Sequence, residues 1–358
     1  RTHMDANLVQ MNSKLMRSTS RRVKSVLLAG LFVAVFPAFF PDPAAGQISQ
    51  VERGVAFLTL RDRIEDEEGY YGDDRSTLKA GYCLVDEVKL DFLSTAAEIA
   101  PFRIPEEILS VETVEEVPVH SLLETLPTED PVLYVHGYYV GFDKGCRRAT
   151  IFKENAGLFD RFLWFSWPSA DSFVSYNRDE VNMYWSVPDL AAMIADLHDR
   201  FGPGHVDLVG HSLGARGLTL ALYEIAATHP DIRFGEVILI APDLDFDTFR
   251  KLLPRIRPLA RRITVYISDG DKALDVSEQL HGYPRLGQSE NDFESLAGVE
   301  VIDVSDLSIT SANGHLYHLY SKEVGRDLSQ LLNGGKGAAF RMGLEKEGGN
   351  EWRILPDR

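Results

Sequence analysis

Two hydrophobic patterns divide the chain near residue 131. Beyond it, largely apolar runs of strand length fall at 132–135, 162–165, 206–209, 237–240, 263–267 and 299–304. Between them lie segments of helical periodicity at 143–156, 188–201, 213–227, 246–254, 274–281 and 322–332. Strand-length runs this apolar are buried on both faces, and the amphipathic segments must cover those faces. The alternation predicts an α/β fold, a mostly parallel, doubly wound sheet with helices on both faces. The stretch joining the runs at 237–240 and 263–267 is too short for a large cap domain.

The first third reads differently. Residues 54–60 and 79–85 have strand character and flank a charged, glycine-containing loop at 61–75. Residues 105–130 are acidic and interrupted by Pro105, Pro118 and Pro127, an irregular approach to the core rather than a separate domain. One domain over 47–333 is therefore expected, with 47–130 as its N-terminal part. The tail, 334–358, is rich in glycine and charge and is expected to fray.

Residues 1–46 stand apart. Lys14, Arg17, Arg21, Arg22 and Lys24 precede an apolar stretch from Val26 to Phe36, and Ala44 and Gly46 follow as small residues. This describes a secretory signal peptide, with an uncleaved N-terminal anchor as the alternative. The apolar stretch is shorter than the roughly 20 residues a membrane span needs. Either reading places the body outside the cytoplasm, periplasmic or extracellular, and the anchor would hold it at a membrane surface.

The formal net charge is −17, and beyond residue 46 the chain holds 31 basic against 52 acidic groups. So acidic a body argues against nucleic-acid binding, which calls for a basic face. Only Cys83 and Cys146 are present, which excludes a thiolate metal cluster and a disulfide framework. Export permits one bridge between them; two buried thiols fit their apolar-periodic surroundings equally well. No His-Glu-x-x-His, phosphate-binding loop or Gly-x-Gly-x-x-Gly helix start occurs, so neither a metal nor a nucleotide cofactor is expected.

Directly after the run at 206–209 stands Gly210-His211-Ser212-Leu213-Gly214, and a helix-periodic segment follows. A serine flanked two residues away by glycines, between strand and helix, fits a sharp turn that exposes its hydroxyl. Such a serine needs a general base, a carboxylate to orient that base, and donors for an oxyanion. Open α/β sheets place reacting groups beyond the carboxyl ends of strands. There stand His136-Gly137-Tyr138, Ser268-Asp269-Gly270-Asp271 and, before the last helix, Gly314-His315-Leu316-Tyr317-His318. The order Ser212, Asp271, His315 fits a nucleophile, acid and base, with the Tyr138 and Leu213 amides as oxyanion donors.

Each role has rivals. His318 competes with His315 as base, while His136 and His211 fit supporting hydrogen bonds better. Asp243 and Asp245 compete with Asp271 as acid, or else cap the helix that begins near Asp247; Asp269 reads as a turn residue. The aromatics Trp164, Phe165, Trp167, Phe173, Tyr176, Tyr184 and Trp185 with Met183 suit either an apolar acyl pocket or packing under the sheet. The stretch 282–296 is the expected mobile loop near Asp271.

From about Tyr134 to Leu332 the chain resembles a bacterial alpha/beta-hydrolase family of unknown function. The resemblance is carried by residues 134–149, Phe165-Ser166-Trp167-Pro168-Ser169, residues 210–217, Ala241-Pro242-Asp243-Leu244-Asp245 and Asp271-Lys272-Ala273-Leu274. Tyr139 departs from it where a polar residue such as Asn is expected, and Leu316 stands where the family has serine. The resemblance implies a serine hydrolase fold with esterase activity and brings no settled substrate. The lack of a large cap and the exported, acidic body point to an esterase or lipase acting on a small-molecule or lipid ester. Its competitor is a catalytically idle scaffold that binds a partner or lipid at the cell envelope.

Overall fold

The computed structural model describes residues 53–66, 69–87, 105–126, 130–308 and 314–357. The leader expected over 1–46 lies outside them. Eleven strands form one sheet: β1 (Gly54–Asp66), β2 (Gly69–Glu87), β3 (Leu109–Val117), β4 (Val132–Val135), β5 (Phe162–Ser166), β6 (Asp207–His211), β7 (Phe234–Ile240), β8 (Ala260–Ile267), β9 (Val299–Asp303), β10 (Leu344–Gly348) and β11 (Glu351–Ile354). Their spatial order is β10-β11-β9-β8-β7-β6-β4-β5-β1-β2-β3. Every pairing from β11 through β1 is parallel, while β2, β3 and β10 add antiparallel edges.

The helices are α1 (Val119–Thr125), α2 (Phe142–Asn155), α3 (Tyr176–Phe201), α4 (Leu213–Thr228), α5 (Phe246–Ile256), α6 (Lys272–His281), α7 (Tyr317–Tyr320) and α8 (Lys322–Leu332). Alternate residues of each central strand enter opposite cores, as period-two geometry requires. Leu133, Leu208, Val237 and Leu239 meet α3, α4 and α5 through Met183, Leu190, Leu218 and Phe249. Val132, Tyr134, Val209 and Ile238 meet α2 and α8 through Phe142, Phe152, Val324 and Leu328 on the other face. Between β7 and β8 lies α5 with no cap domain.

The chain leaves β4 toward β5 on one side, and β6 toward β7 on the other. That reversal opens a crevice beyond the carboxyl ends of β4 and β6, the place where doubly wound sheets bind ligands. His136-Gly137 follows β4 and Ser212 follows β6, so both motifs flank it.

Several expectations need correction. The loop expected at 61–75 is mostly strand: β1 and β2 run on to Asp66 and from Gly69, as a hairpin with register shifts. Within 105–130, Leu109–Val117 is a strand paired with β2 and Val119–Thr125 is a helix. The long helix begins at Tyr176, twelve residues before the expected start, and carries Pro188 in its interior. The tail does not fray. Residues Glu351–Ile354 pair in parallel with β9, Leu344–Gly348 folds back on them, and Ile354 is buried. Their polar side chains sit at an exposed sheet edge, where backbone pairing needs no apolar run.

Cys83 and Cys146 form a disulfide between β2 and α2, with Cα atoms 6.3 Å apart. It clamps the antiparallel hairpin onto the first helix of the parallel core. With a sequence separation of 63 between its ends, loop-closure entropy assigns it about 4 kcal/mol.

Candidate active site

Ser212 occupies the turn between β6 and α4 with φ 54° and ψ −122°, a conformation that costs a non-glycine residue energy. The surroundings fix it there. Its amide donates to the Ile240 carbonyl at 2.9 Å, and its carbonyl accepts from the amides of Ala215 at 3.1 Å and Asp243 at 3.2 Å. The flanking glycines are required by space: a Cβ on Gly210 would lie 2.6 Å from Ala215 Cα, and one on Gly214 2.2 Å from the His136 carbonyl oxygen.

His315 follows Gly314, whose φ is +69° and whose Cα packs against the Gly270 carbonyl, too close for any Cβ. That contact lays the histidine loop on the turn after β8. His315 Nδ1 lies 2.6 Å from Asp271 Oδ2, and both side chains are buried. The other carboxylate oxygen of Asp271 accepts from the amides of Ala273 at 3.1 Å and Leu274 at 3.2 Å, capping α6. A carboxylate can only accept, so Nδ1 carries the proton and Nε2 is the basic nitrogen. Ser212 and His315 both line a cavity of about 110 Å³ with Tyr138, Phe173, Tyr176 and Leu274 among its other walls.

The loop after β4 is held from below. The Trp167 indole N–H donates to the His136 carbonyl at 2.7 Å, and the His136 ring stacks on Trp167 with its Nδ1 2.7 Å from the Gly137 carbonyl. Arg61, fully buried, donates to the carbonyls of Val140 at 2.6 Å and Ser169 at 2.8 Å. Burial pushes its guanidinium down to about 10, so it stays charged at neutral pH. Tyr139 takes φ 60° and gives its amide to Asp179 at 3.2 Å, while its ring lies under the Lys144 ammonium. Leu213 is the first residue of α4, so its amide has no acceptor within the helix.

The rival residues have other occupations. Asp243 Oδ1 accepts from Arg285 Nε at 3.0 Å and Ser277 Oγ at 2.6 Å, and lies 3.1 Å from Arg216; Oδ2 accepts from the Tyr176 hydroxyl at 2.5 Å. Burial alone would raise this carboxyl, but the two guanidiniums and two hydroxyls outweigh it and hold it at about 2. Asp245 caps α5 through the Thr248 amide at 2.7 Å. The Asp269 amide donates to Ser305 Oγ at 2.9 Å, as a turn residue does. His318 is fully buried, 3.3 Å from the Tyr134 hydroxyl, and has no carboxylate bonded to it among the described residues. His211 Nε2 lies 3.1 Å from the His315 carbonyl oxygen and supports its backbone. Burial holds His136, His211 and His318 neutral, each well below the ordinary histidine range.

The aromatic stretch divides between its two readings. Trp164 and Trp167 are fully buried as packing, and Met183 lies in the core; Phe173 and Tyr176 line the cavity. The stretch 282–296, expected to move, is tied down instead. Leu286 donates to the Leu244 carbonyl at 2.7 Å and Gly287 to that of Pro242 at 3.1 Å, and Ser268 donates to the Gly287 carbonyl. Sequence reasoning missed Arg216, Arg285 and Ser277, which secure Asp243. A charge inside the otherwise apolar first turns of α4 was the available signal for Arg216. Among the described residues no group of His, Cys, Asp and Glu could hold a metal ion, and no helix is long and apolar enough to cross a membrane.

No curated protein sequence matches the chain. Solved structures similar to it include a predicted CIB-like hydrolase from Thermoplasma acidophilum, 13% identical, covering 63% of this chain and 91% of that one at a TM-score of 0.35. A gene product from Listeria innocua is 13% identical, with 63% and 98% covered and a TM-score of 0.38. An esterase from Pyrobaculum calidifontis is 15% identical, with 57% and 76% covered and a TM-score of 0.33. Residues 112–333 match the model of the alpha/beta hydrolase family of unknown function, DUF900, and the chain belongs to that family.

Proposed function

We propose that the protein is a serine hydrolase that cleaves carboxylic esters. One observation carries the reading: a buried imidazole held by a carboxylate at 2.6 Å opens onto the same cavity as a serine in a strained strand-to-helix turn. Ser212 attacks the ester carbonyl while His315 Nε2 takes its proton, and Asp271 steadies the resulting imidazolium. The Tyr138 and Leu213 amides receive the oxyanion. His315 then returns the proton to the departing alkoxide, leaving an acyl-serine. Water activated by the same imidazole attacks that ester, frees the acid and restores Ser212.

The Cys83–Cys146 bridge supports export, since such bonds persist in oxidising compartments. The test is turnover of p-nitrophenyl butyrate by the full chain and by Ser212→Ala. A loss of about 10⁴-fold or more is expected from the substitution. Equal rates in the two proteins would overturn the assignment.

A further inference from the structure

The enclosed part of the site is small, and the surface just outside it is apolar. A cavity of about 110 Å³ has room for about four groups the size of a water or methylene. Phe173, Val276 and Leu280 form part of its wall, yet are 62%, 54% and 57% exposed. Beside them Val174 is 90% and Tyr283 63% exposed. These residues come from the turn before α3, from one side of α6, where Val276 and Leu280 are four residues apart, and from Tyr283 just past the helix end. The turn and helix face each other across the mouth, with the Tyr176 and His281 rings 5.7 Å apart and Tyr138 within 6.4 Å of Phe173. Elsewhere on its outer surface α6 is polar, at Lys272, Asp275 and Gln279. Five of the twelve exposed large hydrophobics among the described residues thus gather at the entrance, a patch of the kind that marks a binding surface.

We propose that the substrate is an ester whose apolar chain outruns the cavity and is drawn from the surface of a neutral or zwitterionic lipid aggregate. Phe173, Val174, Val276, Leu280 and Tyr283 seat in that surface. The inference rests on Ser212 being the nucleophile of an ester hydrolase. A lipid surface is favoured over a protein partner because the exposed residues continue the cavity wall, so the occupant can feed a chain to the serine. The net charge of −17 disfavours an anionic surface. Apolar side chains entering the acyl boundary supply the binding, and the chain beyond the cavity lies along them.

Two measurements on the full chain decide it. Ser212→Ala is sedimented with phosphatidylcholine vesicles, alone and combined with Val276→Asp/Leu280→Asp or with Val174→Asp, which lies outside the cavity wall. The expected result is binding that falls at least fivefold with the pair and about threefold with Val174→Asp. With Ser212 intact, the octanoate-to-butyrate ratio of kcat/KM on p-nitrophenyl esters should fall at least tenfold in Val276→Asp/Leu280→Asp. A ratio and a vesicle-bound fraction that both ignore these substitutions overturn the proposal, as does binding to anionic vesicles alone. If Ser212→Ala still hydrolyses butyrate, the nucleophile assignment fails instead, and the vesicle arm still decides the surface.

Discussion

Asp243 and Asp271 are both buried carboxylates just past the carboxyl ends of neighbouring strands, and they do opposite things. Asp243 is locked between two guanidiniums and two hydroxyls. Asp271 spends one oxygen on the start of α6 and offers the other to an imidazole. A carboxylate held on both oxygens by arginines and hydroxyls is committed to them, whereas the helix cap uses one oxygen of Asp271 and leaves the other for the imidazole. Position at a strand end is therefore not enough to assign a catalytic acid. What else the carboxylate must satisfy decides.

Substitution should separate the two. Asp271→Asn keeps a capping oxygen but presents the wrong partner to the imidazole, so kcat/KM should fall about 10⁴-fold. Its urea midpoint should move little, because Asn caps helices about as well as Asp. Asp243→Asn strands two buried arginines and should cost about 3–5 kcal/mol in urea unfolding. Its rate per folded molecule should stay within about tenfold of wild type, because the Asp243 carboxylate is bonded to Arg285, Arg216, Ser277 and Tyr176 and secures the wall of the cavity. A large rate loss in stably folded Asp243→Asn would break the contrast.

The pH dependence of that stability difference sharpens it. Asp243 is held at about 2 in the folded protein, below its ordinary 3.8. A depressed carboxyl stabilises the fold above its unfolded value, and the contribution is lost as pH falls through the folded one. The gap between wild type and Asp243→Asn should hold above about pH 4 and shrink between about pH 4 and 2. As a control away from both carboxylates, Cys83→Ser/Cys146→Ser should lose about 4 kcal/mol of stability. Activity per folded molecule should be unchanged, because the bridge lies between β2 and α2.

The parallel core was legible because its strands are largely apolar and alternate with helical periodicity, a pattern that leaves few alternatives. The edges were not. β10 and β11 carry Glu345, Lys346, Glu347 and Arg353, and their pairing is a backbone matter with no periodic signal. Periodicity predicts a helix only from residue 188, but α3 carries Pro188 inside, continued from a first segment whose Asp179 and Asn182 are turned inward to hold loops. At the site, the serine turn could be read from glycine spacing. The contest between Asp243 and Asp271 could not, since both follow a strand and only the arginines from α4 and from beyond α6 distinguish them. The 282–296 stretch looked loose for the same reason: Arg285 pins it to Asp243 across 42 residues of sequence.

The most direct measurement is the site and rate of fluorophosphonate labelling, read by mass spectrometry of the full chain and of Asp271→Asn and Asp243→Asn. The account predicts one adduct, on the peptide carrying Ser212, forming at least 10³-fold more slowly in Asp271→Asn and within about tenfold of wild type in Asp243→Asn. An adduct on another residue, or labelling that survives in Asp271→Asn and disappears in folded Asp243→Asn, would contradict it.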